Sequence, residues 1–308
     1  MRNHWYRKKR CENHEPYNHK KHRQHRAKYY YCVILWAVES LFFKTVLGIN
    51  TATHRESVAI VQNNKILAER NWTGNKNESS ILLKSIDKCL QKSQLEFSDL
   101  DGVISVSGPG PFSAVRIGTA TANAIAFSIK KPIYAVTTEA VWLARVNAIL
   151  KQSMTHRTTG DKATNNNVFV VMSAGKGHIA LIDFAIPDSL DARATISQQQ
   201  IFSVSELIEH ILKTEVRNED DDKNVTIKNP ITLLCDLTHI EKDELQNKCP
   251  KTWNIFDESD SKVVLPFAKA LIMIPPALIY HSEANIVTPR YLRPPTITQA
   301  KKPLYATS

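Results

Sequence analysis

The sequence predicts an α/β protein of two lobes, the first ordered βββαβαβα, and three observations carry that reading. From Thr45 onward, apolar runs of strand length recur between polar turns. Beyond Asn77 they give way to apolar residues at helical spacing. Between the fourth strand and the second helix lies a Gly/Pro turn in the stretch "SGPGPFSAVRIG", Ser107 to Gly118.

Taken in order, "TVLGINTA" reads as a buried strand, "ESVAIVQ" as a second and "KILAERNW" as a third, with Asn63 and Asn64 as a two-residue hairpin turn. "NESSILLKSIDKCLQKS" places Ile81, Leu82, Ile86, Cys89 and Leu90 on one helical face behind Asn77 as cap. Phe97 to Asp101 is a polar connector, "GVISVS" the fourth strand, "KPIYAVTT" the fifth, and "EAVWLARVNAIL" the third helix. This order is that of a ribonuclease-H-like half domain, the lobe of actin-like and sugar-kinase-like folds. Beyond 150 the pattern weakens. A polar loop spans Lys151 to Asn167, a hairpin turns at Gly175 to Gly177, and "SVSELIEHILK" reads as an amphipathic helix. A second polar loop, 215–229, precedes the strand "ITLLCDL", and a last helix is expected from Ala268 to Glu283, broken at Pro275 and Pro276. The expected domains are therefore 45–150 and a smaller lobe, 151–308.

The net charge of +10 does not belong to that body. Residues 1–44 hold eleven Lys/Arg against three Glu, together with five of the eleven histidines, so the body carries only about +2. This basic, His-rich run followed by "YYYCVILWAVESLFF" reads as an extension outside the fold, either disordered or upstream of the true start, since the next methionine after Met1 is Met154. As a membrane anchor it is short and interrupted by Glu39. A tail that touches RNA phosphates is a separate alternative. The five scattered cysteines include no CxxC pair, which points away from a zinc site or a disulfide framework and toward a reducing, cytoplasmic setting.

The glycine turn carries the chemistry. Gly108 and Gly110 permit close backbone approach, and the amides of Phe112, Ser113 and Ala114 open a helix whose dipole favours an anion. Arg116 adds a charge, and Asn50 and Thr51 end the first strand beside the same loop. Taken alone, the glycines suit a tight strand-to-helix turn equally well. The following helix is lined by Ala114, Gly118, Thr119, Ala120, Thr121, Ala122, Ala124 and Ala126, a nearly flat surface fit for close packing on two faces.

Four stretches in series, "VLGINTATHRESVAIV", "GPGPFSAVRIGTATANAIAF", "PIYAVTTEAVW" and "PRYLRPP", resemble the TsaB (YeaZ-like) family of the bacterial tRNA threonylcarbamoyladenosine machinery. The strong match covers about Val46 to Leu150, with a weaker tail at Pro289 to Pro295. The resemblance implies a non-catalytic scaffold that pairs with the catalytic TsaD subunit, joined by the ATPase TsaE, with tRNA met indirectly and a homodimer formed when the partner is absent. It implies an interface on Ser80, Leu83, Ile86 and Asp87 of the first helix, and on Arg116, Thr119, Ala120 and Asn123 of the second. No intrinsic cofactor is expected, with ATP or ADP enclosed at the heterodimer interface left open.

The residues point the same way. The catalytic paralogue uses a His-x-x-x-His pair, whereas His54, His156, His178, His210, His239 and His281 are isolated here, so no metal and no catalytic residue are expected. Sugar kinases of this fold place Asp, Gly and a hydroxyl after the first strand. Asn50-Thr51-Ala52-Thr53 lacks the carboxylate and the glycine, although many relatives keep Asp at position 50. Ser173-Ala174-Gly175 likewise departs from the family's usual Asp-Ala-Arg. The competing expectation is a free-standing small-molecule kinase of the same superfamily.

Overall fold

The computed structural model describes residues 45–73, 78–155, 168–175, 177–185, 195–217, 231–260 and 262–292. All of them lie in the unit Leu41–Ser308. The readings of residues 1–44, of Asn77 as a cap, of Lys176 in the second turn and of the tail beyond Leu292 fall outside the described residues.

The apolar runs form the strands expected of them. β1 (Thr45–Asn50), β2 (Arg55–Gln62) and β3 (Lys65–Thr73) make an antiparallel meander, and Asn63 and Asn64 take φ of 51° and 60°, as a type I′ turn requires. α1 (Glu78–Ser93) follows, then β4 (Gly102–Val106), α2 (Phe112–Ser128), β5 (Ile133–Val136) and α3 (Thr138–Thr155). β4 lies parallel to β1 and β5 parallel to β4, and with the edge strand β11 (Ile279–Tyr280) the first sheet runs β11-β5-β4-β1-β2-β3. This is the ribonuclease-H-like arrangement.

The second sheet is built from β6 (Val168–Gly175), β7 (His178–Ala185), β8 (Thr195–Ser203), β9 (Thr232–Asp236) and β10 (Asn254–Asp257). Its order, β10-β9-β6-β7-β8, repeats the directions of the first five strands: an antiparallel meander with two parallel additions. The topology is thus duplicated where no internal repeat is visible in the sequence. α4 (Val204–Arg217) and α5 (His239–Lys248) complete this lobe.

Three expectations need correction. The third helix runs to Thr155, four residues beyond the predicted loop start at Lys151, and α4 runs to Arg217, past the start of the loop predicted at 215. The long last helix does not form. α6 covers only Phe267–Met273, Pro276 opens a short 3-10 turn, and Ile279–Tyr280 is β11, paired antiparallel to β5. Tandem prolines remove two backbone donors, so the chain leaves the helix and extends. Segment 151–308 therefore does not stay with one sheet: α6 packs on β1, β2 and β3 of the first, and Ile279–Tyr280 pairs with β5 of the same sheet.

The core explains two further corrections. On α1, Ile86 shares the stripe of Leu82, Cys89 and Leu90 and is 0% exposed, packed with Leu47, Val58 and Ile60 of the sheet. On α2, Thr119 is 2% exposed and donates to the Val115 carbonyl one turn back. Neither side chain is available to a partner, because each lies on the inward face of its helix. Burial also pushes the Cys89 thiol up to about 11. Among the described residues no helix is long and apolar enough to cross a membrane.

These positions make a direct comparison. Ile86→Ala should cost about 2–5 kcal/mol of stability in chemical denaturation, whereas Leu83→Ala, at a side chain 51% exposed, should stay within about 0.5 kcal/mol of wild type.

Candidate functional site

The site predicted around the glycine turn does assemble, but its interior is occupied by the chain itself. Asn50 is wholly buried and uses both ends of its amide: Oδ1 accepts from the Ala52 amide at 3.1 Å, and Nδ2 donates to Thr53 Oγ1 at 2.9 Å. Thr53 Oγ1 itself donates a hydrogen bond to the Arg55 carbonyl, so toward Asn50 it can only accept and needs a donor there. An amide supplies that donor and an ionised carboxylate cannot. Asn50 is therefore a fastener of the β1–β2 loop.

That loop is pressed into the glycine turn. Thr51 Oγ1 donates to the Ala114 carbonyl at 2.7 Å, which binds the loop to the first turn of α2. A Cβ on Gly110 would lie 2.0 Å from the Ala52 carbonyl oxygen, and one on Gly118 would lie 2.0 Å from Thr51 Oγ1. Both glycines admit the protein's own loop. Gly108, at φ +103°, faces the Arg290 carbonyl, which would be 2.4 Å from an added Cβ. The turn's carbonyls are also spoken for. Ser107 accepts from the Arg290 amide, Gly108 from the Thr138 amide, and Pro109 from Thr138 Oγ1 at 2.6 Å.

At the mouth of the turn Phe112 and Ser113 are exposed and Ala114 is buried. Arg116 does not project free. Its guanidinium lies 3.8 Å from the Phe112 ring centre, and Nε donates to the Tyr291 hydroxyl at 2.9 Å, with the two rings 4.6 Å apart. Asn123, one of the residues expected at a partner interface, spends both amide ends on the backbone of Val287. Residues 285–291 thus lie along α2 and across the glycine turn, a role that nothing in their local sequence signals. Ser80, Leu83, Asp87 and Ala120 are exposed, and so is Phe127 at 85%.

In the second lobe, Ser173 donates to Glu241, whose other oxygen accepts from Thr238 in a capping box at the start of α5. Gly175 and Gly177, both at positive φ, turn the β6–β7 hairpin with open space around them. Between the lobes is a cavity of about 450 Å³ whose lining includes His54, Arg55, Trp72, Asp236, Asp257 and Glu258. Sequence reasoning missed the acids here, since residues 54, 236 and 258 meet only in the folded chain. Burial, followed by the neighbouring charge of Glu258, pushes the Asp236 carboxyl well above the usual carboxylate range. Among the described residues no three His, Cys, Asp or Glu side chains converge as metal ligands.

The duplicated sheets and the loop-filled glycine turn define a two-lobed α/β protein of the ribonuclease-H-like class. The family model described as "TsaD: tRNA N6-adenosine threonylcarbamoyltransferase" matches residues 65–243, more than half of the chain, and the chain belongs to that family. Within it the TsaB resemblance holds. The chain is 29% identical over 93 residues to "tRNA threonylcarbamoyladenosine biosynthesis protein TsaB" of Bacillus subtilis, covering 30% of this chain and 41% of that protein. The Buchnera aphidicola TsaB is 26% identical over 229 residues, 74% of this chain and 86% of that protein. A tRNA N6-adenosine threonylcarbamoyltransferase of Prosthecochloris aestuarii is 23% identical over 150 residues, 44% of this chain and 41% of that protein. The matches to the Prosthecochloris and Bacillus proteins thus span about two-fifths of each relative. In fold, the chain is similar to YeaZ from Pseudomonas aeruginosa, with a TM-score of 0.52 and 16% identity over 81% of this chain and 100% of that one.

The contact between Thr51 and Gly118 can be tested as a pair. Gly118→Ala should destabilise by about 1–3 kcal/mol, and adding Thr51→Ala should recover part of that loss in a double-mutant cycle, because it removes the oxygen the new methyl strikes.

Proposed function

We propose that this chain is a non-catalytic scaffold and activator subunit, cytoplasmic, that heterodimerises with a TsaD-like subunit in the complex transferring threonylcarbamoyl to the tRNA adenosine next to the anticodon. The observation that carries the reading is the packing of the glycine turn against the protein's own backbone: the Ala52 and Arg290 carbonyls stand against the faces of Gly110 and Gly108 where a Cβ would lie. What remains outward is the face of α1 and α2 with Ser80, Leu83, Asp87 and Ala120, extended by Ala124 and Phe127. Small side chains let another helix come close, and Leu83 and Phe127 supply apolar area for it. A TsaE-like ATPase joins the pair, tRNA is contacted through the partner, and a second copy takes the same face when the partner is absent. Any ATP or ADP lies at the heterodimer interface.

Co-expression with the TsaD-like subunit of the same organism tests this. Association, and tRNA modification that requires this chain, is the expected outcome. Leu83→Glu with Ala120→Glu should weaken the complex at least about tenfold while leaving the melting temperature unchanged. Hydrolysis of magnesium-ATP by the isolated chain would favour a free-standing kinase instead.

A further inference from the structure

Two carboxyl groups of the second lobe hold the β1–β2 loop. The His54 amide donates to Asp236 Oδ1 at 2.6 Å, and the Arg55 amide donates to Glu258 Oε2 at 3.0 Å. Both acids line the 450 Å³ cavity at the lobe junction, and Asp257 joins them. Their oxygens are not equally committed. Glu258 gives Oε1 to Arg145 of α3, both side chains being almost wholly buried. Asp257 accepts from Ser259 through Oδ1 and is paired with Lys242 of α5 through Oδ2. Asp236 is 5% exposed, and its Oδ2 meets no hydrogen-bond partner among the described residues. That oxygen is not sealed in the core, and it is left to the cavity. Trp72 of β3 lines the same cavity, half-buried, its ring fixed by donation from Nε1 to Glu56 Oε2 at 2.8 Å, and Leu237 adds apolar surface.

A buried carboxylate oxygen that meets neither a donor nor a cation calls for one. We propose that the cavity at the lobe junction binds a small organic monocation, an amine with an apolar body, its ammonium group on Asp236 Oδ2 and its body against Trp72. The charges favour a cation. Asp236 and Glu258 are two buried carboxyl groups served by a single guanidinium, that of Arg145, and Glu241 of α5 adds to the negative side. Arg55 belongs to the wall, but its charge acts on Glu69 of β3. Burial and Glu258 oppose a charge on Asp236 while the His54 amide favours it, so an ammonium on Oδ2 supplies the opposite charge that is missing. A neutral donor would satisfy the oxygen and leave the charge. A divalent metal is ill served: a hard cation takes about six or more oxygen ligands, and among the described residues no three acids, His or Cys converge. The body follows from the rest of the wall. The volume is that of a small-molecule site, and an indole is the best aromatic neighbour for a cation. None of the α1 and α2 residues of the partner face lines this cavity, so its test does not depend on a TsaD-like subunit.

The test is calorimetric titration of the full chain with phenethylammonium, phenethyl alcohol and acetyl-lysine amide. The ammonium should bind at least about tenfold more tightly than the alcohol, which has the same body without the charge. The lysine amide, whose slender stem leaves the walls uncovered, should bind less tightly than phenethylammonium. Asp236→Asn keeps an acceptor for the His54 amide and should lower the affinity for the ammonium at least about tenfold, while the alcohol binds both proteins alike, as it would not in a collapsed cavity. Trp72→Leu should weaken both aromatic ligands. Should the Asn variant fail to fold, the comparison of ammonium with alcohol on the wild type carries the test. Several results would each overturn the site: equal affinity for ammonium and alcohol, no binding of the ammonium at millimolar concentration, or an Asn or Leu variant that binds it as wild type does. Tighter binding of the lysine amide would do the same, because it would assign the cavity to a side chain of another protein.

Discussion

The structure depends on the backbone contact between residues 50–53 and the glycine turn. This short loop touches everything that matters to the site: Asn50 sets its shape, Thr51 bonds it to α2, Ala52 fills the space at Gly110, and His54 and Arg55 reach the second lobe. Close packing of two backbones leaves no room for side chains, which is why two glycines and an alanine stand at the contact. The loop therefore joins three parts of the protein that are remote in sequence.

That contact also changes what the glycine turn means. A turn with its glycines open would present bare amides at the start of a helix, an anion site by construction. Here the glycine positions face the carbonyl oxygens of Ala52 and Arg290. At these two positions the missing side chains serve the packing of the protein's own backbone. The inward face of the helix it launches is rich in small residues, Ala114, Gly118, Thr119, Ala122 and Ala126, which lets α2 pack closely on the sheet and loop. The C-terminal residues 285–291 close the remaining side through Asn123, Ser107 and Arg116.

Much of the first lobe was legible because its signals are local. Asn63-Asn64 dictates a hairpin, and Leu82, Ile86, Cys89 and Leu90 repeat at helical spacing. The same stripe should have kept Ile86 out of any partner surface: family resemblance suggested an outward role that its periodicity denies. The second lobe was less legible. β8 is glutamine-rich and held by its backbone ladder to β7, so it carries no apolar alternation, and α5 buries only Glu241 and Leu245. For α5 there was a usable sign, the capping box of Thr238 and Glu241.

By itself the sequence determined the strands and helices of the first lobe, the sharp turn at Gly108 to Pro111, and the family to which the chain belongs. These rest on dihedral preference, hydrophobic period and motif, each written within a few residues. Tertiary structure alone decided that the turn is filled, that Ile279–Tyr280 and residues 285–291 return to the first lobe, and that Asp236 and Glu258 meet the β1–β2 loop. Those contacts join residues separated by 58 to 203 positions, and no local preference specifies which distant carbonyl or carboxylate will arrive.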